Sequence, residues 1–470
     1  MARVVVVGGG ISGLVAARKL AHSGFDVILA EAGRAWGGKI ASTLLDGVRV
    51  DTGAEALVAR RPEALALIDS VGLSDRRVHP SDAKPDLLVG GRLHPMPRSV
   101  SGVPTDLDQL GGLLSREGLS RARAEPKDSG GPAGDVAIGR LVDKHLGPEV
   151  TDKVVEPVVG GVYAGHSRDL SLAALSLPLY LKASTGGSLV DHALAIANAA
   201  PPGPVFVGLH GGVSTLVDGL IHQLTESGAV LRRETTVREL VPSRHGYELT
   251  WTSAGGEGRL ITDAVVIATP WPVAARLLAT EPHLARELAG VPYASMAIIT
   301  MVVRGMRANS SGLLAPPAEL PSVKAMTYSS TKWPWLADQT SAAWGNGTSV
   351  VRASVGRLGE EHLLQVDDRS LVARTFAEAQ TTPDWRQAVL VAGHVQRWGG
   401  ALPQYQLGHR ELVARVREQV AAVRGVALCG AALDGIGVAA CIGSGTEAAR
   451  KIIADLGGRK LNPLSLEETA

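Results

Sequence analysis

The chain has 470 residues, of which 45% are apolar and 20% charged, so it can bury a large core and is not intrinsically disordered. Its 47 Lys and Arg nearly balance its 46 Asp and Glu, and a net charge of +1 argues against a dedicated nucleic-acid-binding protein. The two cysteines are too few for a disulfide framework and favour a reducing, cytoplasmic location. No apolar run reaches the roughly 18 residues that span a bilayer. We therefore expect no integral membrane segment, with peripheral contact at the inner face of the cell membrane left open.

The N-terminus predicts a strand–turn–helix–strand unit. The β-branched run Arg3–Val7 suits a buried strand, and the glycine-rich stretch Gly8–Gly13 leads into a helix over Leu14–Ser23. A second strand, Phe25–Ala30, ends at Glu31. These elements make a βαβ unit of about 30 residues.

The rest of the chain alternates between helical and strand-like regions. Between residues 100 and 200, apolar residues at helical spacing predict helices over Val136–His145, Pro148–Val155, Ser171–Lys182 and Ser188–Ala199, and the Gly-, Pro- and Ser-rich stretch Glu125–Gly134 predicts a flexible loop. Predicted strands follow over Arg232–Val241, Tyr247–Ser253, Gly258–Ala268, Ala297–Val303 and Ser349–Val355, with a helix near Ser370–Ala379. The C-terminal part reads as a strand over Val426–Cys429, a glycine turn over Gly435–Gly445 and a helix over Ser444–Leu456.

The first glycine turn indicates a dinucleotide-binding site, because of the elements around it. Gly8 permits the tight turn, Gly10 lets the backbone approach a pyrophosphate, and Gly13 allows close helix–strand packing. The N–H groups at the start of the helix then face the phosphate charge. Glu31 can accept hydrogen bonds from ribose hydroxyls, and its charge would repel a 2′-phosphate. A glycine-rich turn without a ligand is the alternative, and the complete pattern makes it the weaker one.

Two further glycine stretches resemble those of FAD-binding oxidoreductases. The first contains Gly37, Gly38 and Lys39 and is followed by Gly53–Glu55. The second runs from Gly430 to Val438, ahead of the C-terminal helix. Spacing alone does not separate flavin from nicotinamide dinucleotides, and the choice of FAD here rests on that resemblance.

Four longer stretches resemble the FAD-dependent porphyrinogen oxidases, the coproporphyrinogen III and protoporphyrinogen oxidases of the monoamine-oxidase-like flavoprotein superfamily. They are Val155–Gly165 with Leu170 and Ser171, Val205–Gly212 with Leu216, Arg397–Tyr405 with Gly408 and His409, and Gly435–Gly445. The likeness runs from end to end. It implies an α/β (α+β) fold with a discontinuous Rossmann-type FAD-binding domain and inserted substrate-binding and helical domains. The implied boundaries are 1–80, 203–280 and 415–470 for the FAD-binding domain, 81–95 and 281–414 for the substrate-binding domain, and 96–202 for the helical, membrane-associating candidate.

The resemblance also implies which residues form the site. The cofactor-binding candidates are Gly8, Gly9, Gly10, Ile11, Ser12, Gly13, Glu31, Ala32, Gly37, Gly38, Lys39, Gly53, Ala54, Glu55, Ala56, Val237, Trp398, Gly430, Ile436, Gly437 and Val438. The substrate-binding candidates are Arg60 and Arg61, for anionic propionates, and Gly160, Gly161, Ala164 and Gly165, whose small size would let backbone carbonyls approach pyrrole N–H groups. For Trp398, a role as a buried core aromatic is equally open, and either arginine alone could be a solvated surface residue.

The implied activity is oxidation of coproporphyrinogen III to coproporphyrin III by O₂, with H₂O₂ released. The hydride goes to FAD, so no catalytic protein residue and no metal are expected. His166, His210, His394 and His409 are expected to be structural hydrogen-bonding groups. The alternatives are a protoporphyrinogen IX oxidase, an amine or carotenoid oxidoreductase of the same fold, and a porphyrin-binding carrier with a vestigial flavin. Oligomeric state is not predicted.

Overall fold

A five-stranded parallel sheet draws its strands from three distant parts of the chain. The computed structural model describes residues 1–127 and 130–457. In this sheet the strand order is β12-β2-β1-β16-β22, with bounds β1 Arg3–Val7, β2 Asp26–Ala30, β12 Val230–Arg232, β16 Ala264–Ile267 and β22 Val426–Leu428. The strands are short and rich in Val, Ile and Leu because helices and a second sheet cover both faces.

The helices on one face of this sheet come from the beginning, the middle and the end of the chain. They are α1 (Ile11–His22), α2 (Pro62–Ser70), α10 (Ser214–Glu226) and α17 (Val438–Gly457). Leu14 of α1, Leu216 of α10 and Ile452 of α17 are fully buried in one shared core. Packing of α17 on α1 therefore brings the C-terminal helix to the first glycine turn.

The opposite face is covered by an antiparallel three-stranded sheet and three helices. These are β13 (Thr236–Ser243), β14 (Gly246–Ser253), β15 (Gly256–Thr262), α11 (Trp271–Leu277), α12 (Pro282–Ala289) and α16 (His409–Ala422). The predicted strand Arg232–Val241 is therefore two strands in different sheets, and so is Gly258–Ala268. The chain turns between β12 and β13 at Glu234, which has a φ of 50°. The period of apolar residues does not reveal such a change of sheet.

A second large sheet has seven strands in the order β21-β17-β20-β19-β18-β7-β8. Their bounds are β7 Asp86–Val89, β8 Arg92–Pro95, β17 Tyr293–Arg304, β18 Gly312–Leu314, β19 Val323–Thr327, β20 Thr348–Val355 and β21 Val389–Pro403. Along β17, Ala297 and Ile299 face a core shared with α15 (Asp368–Gln380), whereas Met296 and Ile298 point to the other face.

The predicted helical region is helical throughout most of its length. It contains α3 Arg116–Arg123, α4 Ile138–Leu146, α5 Pro148–Val150, α6 Glu156–Tyr163, α7 Leu172–Leu175, α8 Leu177–Ala183 and α9 Leu189–Ala199. A π-helical turn over Thr151–Val155 joins α5 to α6. The predicted helix Ser171–Lys182 is broken at Ser176, just before Pro178.

The predicted flexible loop is anchored at its first residue. The buried Glu125 carboxylate accepts hydrogen bonds from Ser188 Oγ (2.6 Å) and the Leu189 N–H (2.6 Å), and its Oε1 lies 3.2 Å from His145 Nδ1. Residues 128–129 of this loop, and residues 458–470 of the predicted FAD-binding domain, lie outside the described residues.

The remaining elements are short. They are β3 Ser42–Leu45, β4 Val48–Asp51, β5 Leu57–Val58, β6 Arg77–Val78, β9 Ser99–Val100, β10 Val103–Pro104, β11 Phe206–Leu209, α13 Ser329–Lys332 and α14 Pro334–Trp344, together with 3-10 turns at Ser74–Arg76, Leu107–Leu110, Glu361–Leu364 and Pro383–Trp385. Among all helices of the described residues, none combines the length and apolarity required to cross a bilayer.

The C-terminal helix begins six residues earlier than the sequence indicates. It starts at Val438, so the predicted turn over Gly435–Gly445 ends at Gly437 and the predicted start at Ser444 is wrong. The later glycines serve packing instead. A Cβ on Gly445 would lie 2.3 Å from the Ser12 carbonyl oxygen of α1. The overall class is the expected mixed α/β fold, and the division into domains stays a prediction.

Candidate active site

A cavity of about 700 Å³ opens at the carboxyl ends of the parallel strands. Val7 of β1, Ala30 of β2 and Ala268 after β16 line one end, and Met296 and Ile298 of β17 line the other. The carboxyl ends of parallel strands are where a doubly wound sheet leaves a crevice for ligands. The cavity therefore joins a nucleotide-sized cleft to the face of the second sheet.

Two glycines of the first glycine turn, Gly8 and Gly13, have no room for a side chain. Gly8 has a φ of 109°, and a Cβ there would lie 2.7 Å from the Ala268 carbonyl oxygen. A Cβ on Gly13 would lie 1.9 Å from the Gly8 carbonyl oxygen, and one on Gly38 would lie 3.0 Å from Gly10 Cα. Helix α1 begins directly after Gly10, so its free N–H groups lie at the cavity wall. This cradle fits a dinucleotide pyrophosphate.

Glu31 occupies the position expected of a ribose-binding carboxylate. Its side chain accepts hydrogen bonds from the N–H groups of Gly9 (2.7 Å) and Gly33 (2.6 Å), which fix it at the end of β2. Glu31, Ala32 and Val237 line the same end of the cavity. The adenosine half of a dinucleotide would lie there.

Lys39 supplies a cation to the cavity wall. Its side chain is accessible from inside the cavity, but the surrounding protein desolvates it and lowers its pKa. Cys441 also lines the wall, and burial raises the pKa of its thiol. In its protonated form Lys39 suits a diphosphate or an anionic ring edge at this point.

Glu55 lies behind the cavity wall rather than in it. Burial alone would raise its pKa, but Lys332 Nζ at 2.7 Å and Arg352 Nη1 at 2.6 Å hold the pKa of this carboxyl well below its usual range. The Arg352 guanidinium also donates to the Gly53 carbonyl oxygen. This buried ion triad fixes the Gly53–Ala54 segment, which does line the cavity.

Trp398 and the C-terminal turn close the opposite side. The indole Nε1–H of Trp398 donates to the Thr52 carbonyl oxygen over 3.2 Å, and this half-buried residue lines the cavity, so its place beside a bound cofactor stays a prediction. The Gly430 N–H donates to Ser444 Oγ over 3.0 Å, which ties the turn after β22 to α17. Ile436 and Val438 line the cavity where α17 begins.

The structure thus brings most of the predicted cofactor residues to one cavity. Those that line it are Gly8, Gly10, Ile11, Ser12, Glu31, Ala32, Gly37, Gly38, Lys39, Gly53, Ala54, Val237, Trp398, Gly430, Ile436 and Val438. Gly9, Gly13, Glu55, Ala56 and Gly437 are not part of this lining. Of these five, Glu55 supports the lining from behind through its ion pairs.

The glycines predicted to face a substrate lie mainly against protein. A Cβ on Gly165 would lie 2.1 Å from Gln404 Oε1, and one on Gly160 would lie 3.2 Å from the Gly165 carbonyl oxygen. A Cβ on Gly161 would lie 3.3 Å from a methyl group of Leu314. Ala164 is buried, with a φ of 51°. Val162, which the sequence did not suggest, is the member of this segment that lines the cavity.

The two predicted arginine anchors lie at the start of α2. Arg60 Nη2 donates to the Gly203 carbonyl oxygen over 3.3 Å, and Arg61 Nη2 lies 3.2 Å from Glu63 Oε1. Neither residue is part of the cavity lining. Their role therefore remains a proposal that the cavity geometry does not itself support.

Several lining residues escaped the sequence analysis. Thr269 and Trp271 follow β16, and Met296 and Ile298 alternate along β17. The first pair could have been found, since residues directly after a buried parallel strand lie at the ligand edge of the sheet. The second pair could not, because either face of a strand buried on both sides is apolar.

Three of the four histidines near the motifs make protein contacts. His166 Nδ1 lies 3.3 Å from Glu156 Oε1, His409 Nε2 lies 2.9 Å from the Ala432 carbonyl oxygen, and the His210 ring packs against Trp335. His394 differs, because its buried Nε2 has no hydrogen-bond partner among the described residues. Among those residues, no group of three His, Cys, Asp or Glu side chains is placed to hold a metal ion.

Comparison with known proteins assigns this architecture to a family. Residues 11–453 match the family model described as flavin containing amine oxidoreductase. The coproporphyrinogen III oxidase of Mycobacterium tuberculosis is 35% identical over 464 residues, which cover 95% of this chain and 96% of that protein. The protoporphyrinogen oxidase of Homo sapiens is 28% identical, with 96% and 98% covered.

A solved structure from Exiguobacterium agrees over nearly the full length. That protein is described provisionally as a protoporphyrinogen oxidase. Its structure aligns with this chain at a TM-score of 0.81 and 28% sequence identity, and the alignment covers 97% of this chain and 99% of that chain. Since the family contains flavin and the cradle fits a dinucleotide, the cofactor is FAD. The chain is a member of the flavin containing amine oxidoreductase family.

Proposed function

We propose that this oxidoreductase converts coproporphyrinogen III to coproporphyrin III, with O₂ as the electron acceptor and H₂O₂ as the second product, as a step of haem biosynthesis. Full-length likeness to coproporphyrinogen III oxidases carries the proposal, because the 35% identity extends over 95% of the chain and is not confined to the cofactor motifs. Protoporphyrinogen IX is the alternative substrate, since a protoporphyrinogen oxidase is 28% identical over a similar span.

The walls of the cavity suit a large reduced macrocycle. Beyond Trp398, the lining consists of Val162, Met296, Ile298 and the segment from Gly399 to Leu402. Apolar side chains and glycine backbone provide a broad surface for pyrrole rings without fixed charge. In this proposal Gly160, Gly161, Ala164 and Gly165 position Val162, and Arg60 or Arg61 would bind a propionate only by leaving its present partner.

The reaction assigns different tasks to FAD and to the protein. A bound FAD would supply the hydride acceptor for the oxidation. The glycine cradle, Glu31 and Lys39 would hold the dinucleotide. The Glu55–Arg352–Lys332 triad fixes the Gly53 segment at the cavity wall, and the apolar wall would exclude water from the reacting carbon.

The test compares the two porphyrinogens directly. Purified FAD-loaded protein is mixed in air with each porphyrinogen, and porphyrin fluorescence and H₂O₂ are recorded together. We expect a higher kcat/KM for coproporphyrinogen III and one H₂O₂ for every round. Gly13→Val is the matched control, because its side chain would collide with the Gly8 carbonyl oxygen and prevent cofactor binding.

Three outcomes would change the proposal. A higher kcat/KM for protoporphyrinogen IX would replace the substrate. Oxidation without H₂O₂ would replace the acceptor. A yellow protein that binds porphyrin but oxidises neither porphyrinogen would instead support a carrier with a vestigial flavin.

A further inference from the structure

Four buried polar atoms without partners in the described part of the chain belong to neighbouring residues beside the active-site cavity. They are Thr52 Oγ1, Thr300 Oγ1, Arg352 Nε and His394 Nε2, and none has a hydrogen-bond partner in the described part of the chain. Thr300 is 0% exposed, Thr52 1% and Arg352 7%. A buried polar atom left without a partner costs on the order of 1–3 kcal/mol. Four in one place therefore require a shared explanation.

The register of the seven-stranded sheet places three of these residues side by side. Thr300 of β17 pairs with His394 of β21 on one side and with Arg352 of β20 on the other. Directly paired residues share a face of the sheet, with Cβ atoms roughly 5 Å apart. The three side chains therefore form one polar row across the sheet.

The fourth atom belongs to a segment that crosses this same face. The Thr52 carbonyl oxygen accepts from Trp398 of β21, and the Gly53 carbonyl oxygen accepts from Arg352 of β20. The Thr52–Gly53 segment thus lies over the strand between them, β17, which carries Thr300. These two anchors hold the Thr52 backbone over the polar row, and the Thr52 hydroxyl is buried there without a partner among the described residues.

The polar row lies between the cavity and an apolar core. Ile298, two residues before Thr300 and on the same face, lines the cavity. Val302, two residues after it, is buried in an apolar cluster with Trp333 and Val350. Gly53, next to Thr52, also lines the cavity. A small polar molecule bound at the row would therefore lie one residue pair away from the cavity.

We propose that Thr52, Thr300, Arg352 and His394 bind ordered water, and that this water takes up the proton that the substrate releases in each round. A buried water needs two to four polar partners, which these atoms supply. The role of this water as proton acceptor rests on the proposed function, whereas the existence of the water site does not.

The proton balance of one round is simple. A carbon–hydrogen bond breaks and its hydrogen leaves with the electron pair as the hydride. A pyrrole N–H bond also breaks, its electron pair stays on nitrogen, and its proton passes to the water. Tautomerisation between rounds moves a meso hydrogen to nitrogen, which balances the N–H groups over the whole reaction. The water gives a proton to His394 Nε2, and the imidazolium returns it to solvent. His394 suits this role because it is half-buried and lies on β21, an edge strand of the sheet.

The test combines crystallography with a matched set of variants of the FAD-loaded protein. We expect electron density for water within hydrogen-bond distance of at least three of the four atoms, and loss of that density in Thr300→Val. Anaerobic reduction of the bound FAD by porphyrinogen should slow by about tenfold or more in Thr300→Val and recover in Thr300→Ser. Its solvent deuterium isotope effect should differ between the wild type and Thr300→Val, which a purely structural role would not produce.

Thr375→Val is the control, because Thr375 is another fully buried threonine, on α15 and outside the cavity lining, whose hydroxyl has no partner among residues 1–127 and 130–457. It should leave the reduction rate unchanged. Absence of water density overturns the whole inference. Water density with an unchanged rate and isotope effect in Thr300→Val overturns the proton transfer. A wild-type protein that oxidises neither porphyrinogen overturns the proposed function, and the water site is then decided by the density alone.

Discussion

Gly443 and Gly445 lie close together in α17, but replacing each by alanine should change the stability of the protein in opposite directions. A Cβ on Gly445 would lie 2.3 Å from the Ser12 carbonyl oxygen and 3.0 Å from its carbonyl carbon, so α17 or the first turn of α1 must move. A Cβ on Gly443 would lie 3.8 Å from Glu63 Oε1, which is an ordinary contact. The two substitutions are chemically identical and differ only in what the new methyl group meets.

The expected magnitudes follow from that geometry. Alanine is favoured over glycine inside a helix by about 1 kcal/mol, so Gly443→Ala should raise the free energy of unfolding by up to that amount. Overpacking typically costs about 1–3 kcal/mol, which exceeds the helix gain and should make Gly445→Ala a net loss. Ser12 lines the cavity and its hydroxyl donates to the Cys441 carbonyl oxygen over 2.9 Å. The strain should therefore reach the pyrophosphate cradle and weaken FAD binding about tenfold, or about 1.4 kcal/mol.

The assay is titration of the FAD-free protein with FAD, followed by flavin fluorescence, together with thermal unfolding at saturating FAD. Gly443→Ala should bind FAD like the wild type and unfold at the same or a higher temperature. Equal FAD affinity and equal unfolding temperatures for the two variants would refute the argument that α17 sets the position of the cradle.

Three further predictions concern buried carboxylates. Glu55→Gln leaves the charges of Lys332 and Arg352 uncompensated, and it should lower the free energy of unfolding by about 3–5 kcal/mol. Denaturant unfolding measures this value. An unchanged free energy of unfolding would mean that the triad does not stabilise the fold. Burial raises the pKa of Asp51 to about 6, so the folded state holds this proton more tightly than the unfolded state does. Asp51 therefore stabilises the folded state at low pH. This contribution to the free energy of unfolding falls by up to about 3 kcal/mol as the pH rises from about 4 to about 6. The free energy of unfolding of the wild type, relative to that of Asp51→Asn, should therefore fall over this range, and a constant difference would contradict the assignment. Glu125→Ala removes a carboxylate that accepts from a hydroxyl and a backbone N–H, and should lower the unfolding temperature without changing FAD affinity; a parallel loss of affinity would show that the helical region supports the cradle.

Local chemistry made the nucleotide-binding end predictable. Gly8, Gly10 and Gly13 follow a buried strand and precede a helix, and Glu31 ends the next strand, so close approach and charge are specified within one βαβ unit. The structure places these residues at the expected cleft, with Gly13 against the backbone of Gly8.

The glycines near the C-terminus led to a wrong prediction of where the last helix begins. Gly443 and Gly445 resemble turn residues, yet both lie within α17. At Gly445 a side chain is excluded because the backbone of α1 lies too close. A sequence pattern reports that a side chain is absent but not whether the reason is backbone conformation or a neighbouring helix. Similarly, the sequence places Glu55 in a cofactor motif, whereas the structure pairs it with Lys332 and Arg352, nearly 300 positions away.

The sequence by itself determined the cofactor cradle and the family, since both depend on residues close together in the chain or on overall similarity. Only the tertiary structure decided which apolar residues of β17 face the cavity and where Arg60 and Arg61 lie. It also decided that Thr300, Arg352 and His394 share one face of the sheet, which the Thr52–Gly53 segment crosses. These facts depend on strand register and on contacts between distant segments. Register is set by the packing of whole sheets, and a shift of one residue would reverse every side chain on the strand.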